Sequence, residues 1–202
     1  MRYYAGPVPG AGGEIAPDDA AGERDYVRVV YGPDGAPRKL ERYSDGRLRR
    51  VDYPGAPDEA RTREAHLREH PGVPFATRHD RGGLGGFRWE EARAFSGSGE
   101  RTETVLFLLD ADGREWAEVH HRPGGAVAEV VKYFWEGDEL RYVFHYYRAD
   151  GPPTGIEDLP HADHATFAEI AGALPEADFF ATALALPRAL AGTGIPAPGE
   201  GQ

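Results

Sequence analysis

The chain contains no cysteine among its 202 residues, which excludes disulfides, thiolate metal sites and cysteine nucleophiles. It also lacks any stretch approaching the roughly 18 apolar residues of a membrane span. The richest apolar segment, Phe179 to Leu190, is short and interrupted by Pro187 and Arg188. The opening residues Met1-Arg2-Tyr3-Tyr4-Ala5-Gly6-Pro7 lack the apolar run of a signal peptide, so a cytoplasmic location is the expectation. Basic charge is in deficit: 23 Lys and Arg stand against 34 Asp and Glu, a net charge of −11. Such a field repels nucleic-acid phosphate and anionic lipid and steers a basic partner toward the protein. Neither nucleic acid nor membrane is therefore expected as a partner.

Motifs that dictate a chemistry are also missing. Gly82-Gly83-Leu84-Gly85-Gly86 is not followed by the Lys-Ser or Lys-Thr of a phosphate loop and reads as a flexible connector. Ser96-Gly97-Ser98-Gly99 reads as a turn, not a nucleophile elbow, because no buried parallel strand precedes it. His161 and His164, with Asp158 and Asp163 nearby, have no third ligand fixed by spacing, and Asp163 is better used as a helix cap. No metal and no cofactor are expected.

What the sequence does hold is turn chemistry. It has 27 Gly and 17 Pro, and its hydrophobic fraction of 40% includes 10 Tyr, a composition suited to a β-rich globular fold. Asp34-Gly35, Asp45-Gly46, Asp112-Gly113 and Gly124-Gly125 have the residues that two-residue type I′ hairpin turns demand. After a possible edge strand at Tyr3-Tyr4 and a loop over 5–25, strands are expected near 26–31, 38–43 and 47–53. A surface helix over 57–70 ends at Pro71-Gly72. The main β region then has strands near 87–95, 103–110, 115–122, 126–135 and 139–148. Asp163 is expected to cap a helix with Phe167, Ile170, Ala171 and Leu174 on one face, followed by a helix over 176–191. The fold class is α+β: an antiparallel β-meander, strongly curved or barrel-like, with C-terminal helices packing on the sheet. A single domain spans 1–191, and 192–202 form a mobile tail.

Two-residue turns also fix register. They set Val105 opposite His120, Phe107 opposite Glu118, His120 opposite Glu129, Tyr133 opposite Tyr142 and Glu129 opposite Tyr146. One core face would then hold Val105, Phe107, Leu109, Trp116, Val131, Tyr133, Trp135, Leu140, Tyr142 and Phe144. The other face would hold Lys132, Arg141, Val143, His145 and Tyr147, with Arg141 stacked on Phe134. Glu118, His120, Glu129 and Tyr146 would fall on the apolar side, where carboxylates are costly unless paired. They are the candidate catalytic group, with His120 as acid or base, Glu129 orienting it and Tyr146 as donor. Trp116, Tyr133 and Tyr142 are the candidate ligand-binding aromatics. A bland alternative is that the polar strand ends simply meet solvent. In the first β region, Val29, Leu40 and Val51 are expected to form one stripe and Arg28, Glu41 and Arg50 a charge row on the other face.

Val27, Val29 and Tyr31 align at an offset of 78 with Val105, Phe107 and Leu109, a hint of duplication. The stretches Tyr43-Ser44-Asp45-Gly46-Arg47-Leu48 to Tyr53 and Tyr133 to Tyr147 resemble the MORN-variant hairpin repeats of small bacterial proteins of antitoxin type. That resemblance implies a non-catalytic protein that binds another macromolecule. The function expected is an acidic binding protein for a basic protein partner, of immunity or antitoxin type, with exposed acids such as Asp18, Asp19, Glu157 and Asp158 as contacts. The alternative is a small-molecule binder or cofactor-independent enzyme that uses the aromatic cup.

Overall fold

The computed structural model describes residues 1–6, 13–20 and 22–198. Thirteen strands occur in chain order: β1 (Arg2–Ala5), β2 (Glu14–Ile15), β3 (Asp25–Tyr31), β4 (Pro37–Ser44), β5 (Arg47–Pro54), β6 (Phe75–Leu84), β7 (Phe87–Phe95), β8 (Arg101–Leu109), β9 (Glu115–His121), β10 (Val127–Glu136), β11 (Glu139–Tyr146), β12 (Gly155–Asp158) and β13 (Asp163–His164). They form one sheet in the order β13-β12-β11-β10-β9-β8-β7-β6-β5-β4-β3-β1-β2. The terminal strands β13 and β2 do not pair with each other, so the sheet is open and not the barrel the meander suggested. Tyr3 and Tyr4 do not form an edge: β1 is flanked by β3 and β2. The loop expected over 5–25 instead holds β2 and a single helical turn, α1 (Pro17–Ala20); its residues 7–12 and 21, and 199–202 of the tail, lie outside the described residues.

Among the described residues two features depart from a pure meander: β1 lies between β3 and β2, and β5 pairs with β6 in parallel. A parallel pair needs a crossover, and α2 (Glu59–Glu69) supplies it. Asp58 caps this helix by accepting from the Arg61 amide. The helix lies on the surface and buries a single side chain, His66. The Gly82–Gly86 segment is no loose connector: β6 runs through Leu84, and Gly85 and Gly86, at φ +62° and +84°, make the tight turn into β7.

By contacts the chain falls into two compact units, residues 1–79 with 92–102, and residues 80–91 with 103–198. The first is built on Val51, Phe75 and Phe95. The second has the larger core, including Trp89, Leu106, Leu108, Ala117, Val119, Val130, Phe144, Tyr146, Phe179 and Phe180. Among the described residues no helix is long and apolar enough to cross a membrane.

Most of the turns differ from those expected. The Asp110 amide donates to Arg114 O, and the Gly113 amide, with Gly113 at φ +82°, donates to Asp110 O. That is a three-residue loop closed by a left-handed glycine. The same pattern recurs at Gly32–Ala36, Ser96–Glu100 and Arg122–Ala126. Asp45-Gly46 is a true type I′ turn, with φ of +50° and +70°.

Bulges then adjust register. β8 and β9 bulge at Trp116, which returns Val105 opposite His120 and Phe107 opposite Glu118, as the turn implied. β9 and β10 bulge at Ala128 and set His120 opposite Glu129. Beyond the turn at Gly137-Asp138, β10 and β11 bulge at Arg141, so Phe134 faces Tyr142, Lys132 faces Phe144 and Val130 faces Tyr146. β3–β5 and β9–β11 share this layout. Their bulges fall at Arg38 and Ala128, an offset of 90, and at Arg49 and Arg141, an offset of 92. The structural repeat therefore differs from the alignment at 78.

The Arg141 bulge overturns the expected core face. The face packed by the C-terminal segment carries Leu106, Leu108, Ala117, Val119, Val130, Lys132, Phe144 and Tyr146, not Val105, Phe107, Val131 and Tyr133. Arg141 lies over Tyr142 at 5.3 Å instead of stacking on Phe134. In the first unit, the bulge at Arg49 moves Val51 opposite Glu41 and Asp52 opposite Leu40, which breaks the Val29–Leu40–Val51 stripe. Glu41 is fully buried, paired with Arg28 and Lys39 and accepting from Tyr43 Oη.

The C-terminal helices are shorter than expected: α3 (Phe167–Ile170) and α4 (Ala177–Ala181), with 3-10 turns at 171–173 and 188–190. Asp163 lies in β13, and Thr166 caps α3 in a capping box with Glu169. Ile170 and Leu174 are buried as the periodicity implied.

A Cβ at Gly97 would sit 2.3 Å from Gly72 O. Gly97→Ala must push two turns apart and is expected to cost about 1–3 kcal/mol. Urea denaturation reads this directly, and an unchanged midpoint would refute the close approach.

Candidate functional site

The outer face of β8–β12 carries a polar row that crosses five neighbouring strands. It consists of Glu103 on β8, Glu118 and His120 on β9, Glu129 and Tyr133 on β10, His145 on β11 and Glu157 on β12. Alternation puts them on one side, and the bulge at Arg141 adds His145 to that side. His120 Nδ1 lies 2.8 Å from Glu103 Oε1, and its Nε2 lies 2.9 Å from Glu118 Oε2. Tyr133 Oη donates to Glu118 Oε1 at 2.6 Å. His145 repeats the arrangement more loosely, with Nδ1 3.3 Å from Glu129 and Nε2 3.3 Å from Glu157.

The electrostatics follow from these contacts. The hydrogen bond to Glu118, helped by Glu103, outweighs burial and raises the His120 pKa to about 9. Burial works against the Glu118 carboxylate, but the bonds from His120 and Tyr133 prevail and hold its pKa below the usual range. Burial and the neighbouring Glu118 push the Tyr133 phenol up. His120 is thus an imidazolium with both nitrogens donating, and it has no lone pair left to act as a base.

The structure separates the residues singled out from the sequence. Glu118, His120, Glu129 and Tyr133 share the outer face, with His120 directly opposite Glu129. Tyr146 is on the other side, fully buried, and donates to Phe180 O at 2.6 Å. Trp116 also turns to that side: as the bulged residue it packs on Phe87 and Phe179, and Nε1 donates to Asp110. Tyr142 stacks on Phe134 there. The aromatic cup and the acid–imidazole group therefore do not meet in one pocket, and Phe179 and Phe180 fill the apolar side.

Glu103 was not singled out from sequence, Glu157 was singled out only as an exposed contact, and His145 and Lys132 were expected together on the face opposite the core. Glu103 was within reach, since the register that placed His120 opposite Val105 puts Glu103 diagonal to it. His145 depended on a bulge that no glycine or proline announces. His161 bonds Asp158 at 2.9 Å, and among the described residues no three ligating side chains are arranged to hold a metal. No protein-family model, curated protein or solved structure matches the chain.

A raised folded-state pKa gives stability that is complete below the unfolded value, near 6.5, and lost as pH rises through about 9. Because Glu103 is 44% exposed, the effect is discounted to on the order of 2 kcal/mol. The difference in unfolding free energy between the parent and His120→Gln should fall by that amount between pH 6.5 and 9.5; an NMR titration placing His120 near 6.5 would contradict the assignment.

Proposed function

We propose that this is a non-catalytic binding protein whose acidic second unit docks a basic protein surface, in the manner of an immunity protein or antitoxin. The observation that carries the reading is the distribution of charge. Residues 1–79 and 92–102 hold 15 basic and 14 acidic side chains, a balance of +1. Residues 80–91 and 103–198 hold 8 basic and 19 acidic, a balance of −11. The excess is not spread as a uniform solubilising coat but concentrated in one unit. Concentrated charge of one sign accelerates encounter with an oppositely charged partner and disfavours wrong ones.

Within the second unit Glu136, Glu139, Asp150, Glu157 and Asp178 are exposed. Glu157 remains a contact candidate, and Asp158, half-buried beside His161 and Arg141, is already engaged. Asp18 and Asp19 belong to the balanced unit. The resemblance to MORN-variant repeats agrees with macromolecular binding. The ligand-pocket reading draws less support, because Trp116, Tyr142 and Tyr146 lie on the opposite side of the sheet from Glu118, His120, Glu129 and Tyr133.

Two charge-reversal variants of equal net charge separate a localised site from a general charge effect. Glu136→Lys/Glu139→Lys/Asp150→Lys alters the second unit, and Asp18→Lys/Asp19→Lys/Glu64→Lys the first. With a nona-arginine peptide as probe, calorimetry should show at least a tenfold affinity loss for the first variant and a change of less than twofold for the second. Equal losses would sink the localised reading.

A further inference from the structure

The segment 176–191 has little secondary structure of its own with which to satisfy its backbone. α4 is a single short helix without a side-chain cap. Four of the segment's carbonyls are instead bonded by just two side chains of the sheet. Lys132 Nζ donates to Phe179 O at 2.5 Å, Thr182 O at 2.8 Å and Ala185 O at 2.8 Å. Tyr146 Oη donates to Phe180 O. Lys132 is 1% exposed, and its ammonium lies 4.1 Å from the centre of the Phe179 ring.

A fully buried lysine without a carboxylate is expensive, and burial lowers its pKa to about 7. The three carbonyls oppose that shift, since only the ammonium has three protons to give. One further hydrogen bond ties the segment to its surroundings, from the Ala183 amide to Gly151 O at 3.3 Å; the rest of the hold is apolar, with Phe180 on Phe144 at 4.6 Å between ring centres and Ala183 and Leu190 buried in the same cluster. On its outer side the segment is loosely filled. A cleft of about 180 Å³ is bounded by Glu176, Asp178, Phe179, Leu186, Arg188 and Ala191, and Leu184 is 43% exposed.

We propose that residues 176–191 form a releasable strap, buckled by Lys132 and Tyr146, whose Phe179-Phe180 pair occupies an apolar groove of the sheet as an internal ligand. Release uncovers Trp116, Phe134, Tyr142 and Phe144, the aromatic groove that Phe179 and Phe180 otherwise fill. The strap opens as a unit of its own because its polar anchors are confined to three points, Lys132, Tyr146 and the Ala183–Gly151 bond, whereas the strands beneath are held by continuous ladders. This device is independent of the acidic docking surface, and either can fail without the other.

Hydrogen exchange followed by mass spectrometry on the full chain tests the proposal. In Lys132→Met, amides of 176–191 are expected to exchange at least tenfold faster than in the parent, while those of β9 and β10 keep their protection. Tyr146→Phe, which removes one hydroxyl and preserves the ring, should loosen the same segment by a smaller factor, and it decides the matter should the lysine variant not fold. Unchanged protection of 176–191 overturns the strap. So does acceleration of strap and strands by one common factor, which would make the segment an inseparable part of the core.

Discussion

Side chains along a strand alternate, so one extra residue exchanges every face beyond it. The bulge at Arg141 is that residue here. It sends Tyr142, Phe144 and Tyr146 to the side covered by the C-terminal segment and His145 to the outer side. The bulge at Trp116 does the same for one side chain alone, placing an indole in the core while Glu118 stays with His120. The polar row, the aromatic groove and the buckle of the strap all depend on these two irregularities. A regular ladder would have put the imidazole–carboxylate group among the aromatics.

Strand positions were legible because alternation and Asp-Gly turns are local signals. Val27-Arg28-Val29 and Trp116 to His121 read as strands from composition, and α2 was recognisable between Pro57 and Pro71. β6 was missed because Arg78 to Gly83 is polar and glycine-rich, and its place in the sheet is set by the β5–α2–β6 crossover. Facing was legible only up to the first unannounced bulge. Arg49 and Arg141 lie at equal distances past tight turns, yet an arginine in a strand gives no hint of irregularity. The helices expected over 163–191 failed for another reason. Their apolar periodicity was real, and Thr166 with Glu169 spelled a capping box, but over 176–191 side chains from the sheet bond four carbonyls that helical turns would have used.

Each unit buries charged side chains, and Glu41 and Lys132 show two different solutions to the desolvation problem. The balanced unit buries Glu41 among Arg28 and Lys39, where two opposed charges and the Tyr43 hydroxyl keep the carboxylate ionised. The acidic unit buries Lys132 without using any of its many carboxylates; backbone carbonyls and aromatic faces replace the water shell. A carboxylate partner would have given the lysine one strong bond in one place. Three carbonyls from residues 179, 182 and 185 give it a hold along the segment, so the charge organises backbone that the single short helix α4 leaves unsatisfied.

Concentrating eleven net negative charges in one unit carries a folding penalty from self-repulsion. The outer row shows how part of it is relieved. Glu103 and Glu118 flank His120, whose raised pKa makes it a fixed cation among them, and Tyr133 adds a neutral donor to the more buried of the two carboxylates. The half-buried acids are thereby satisfied within the sheet, where unpaired charge would cost most. The excess that remains lies on exposed side chains such as Glu136, Glu139 and Asp178, where water screens repulsion at little cost in stability. Those are also the acids that the basic partner proposed above would reach, so the division that lets the unit fold is the one that would leave its charge free for that association.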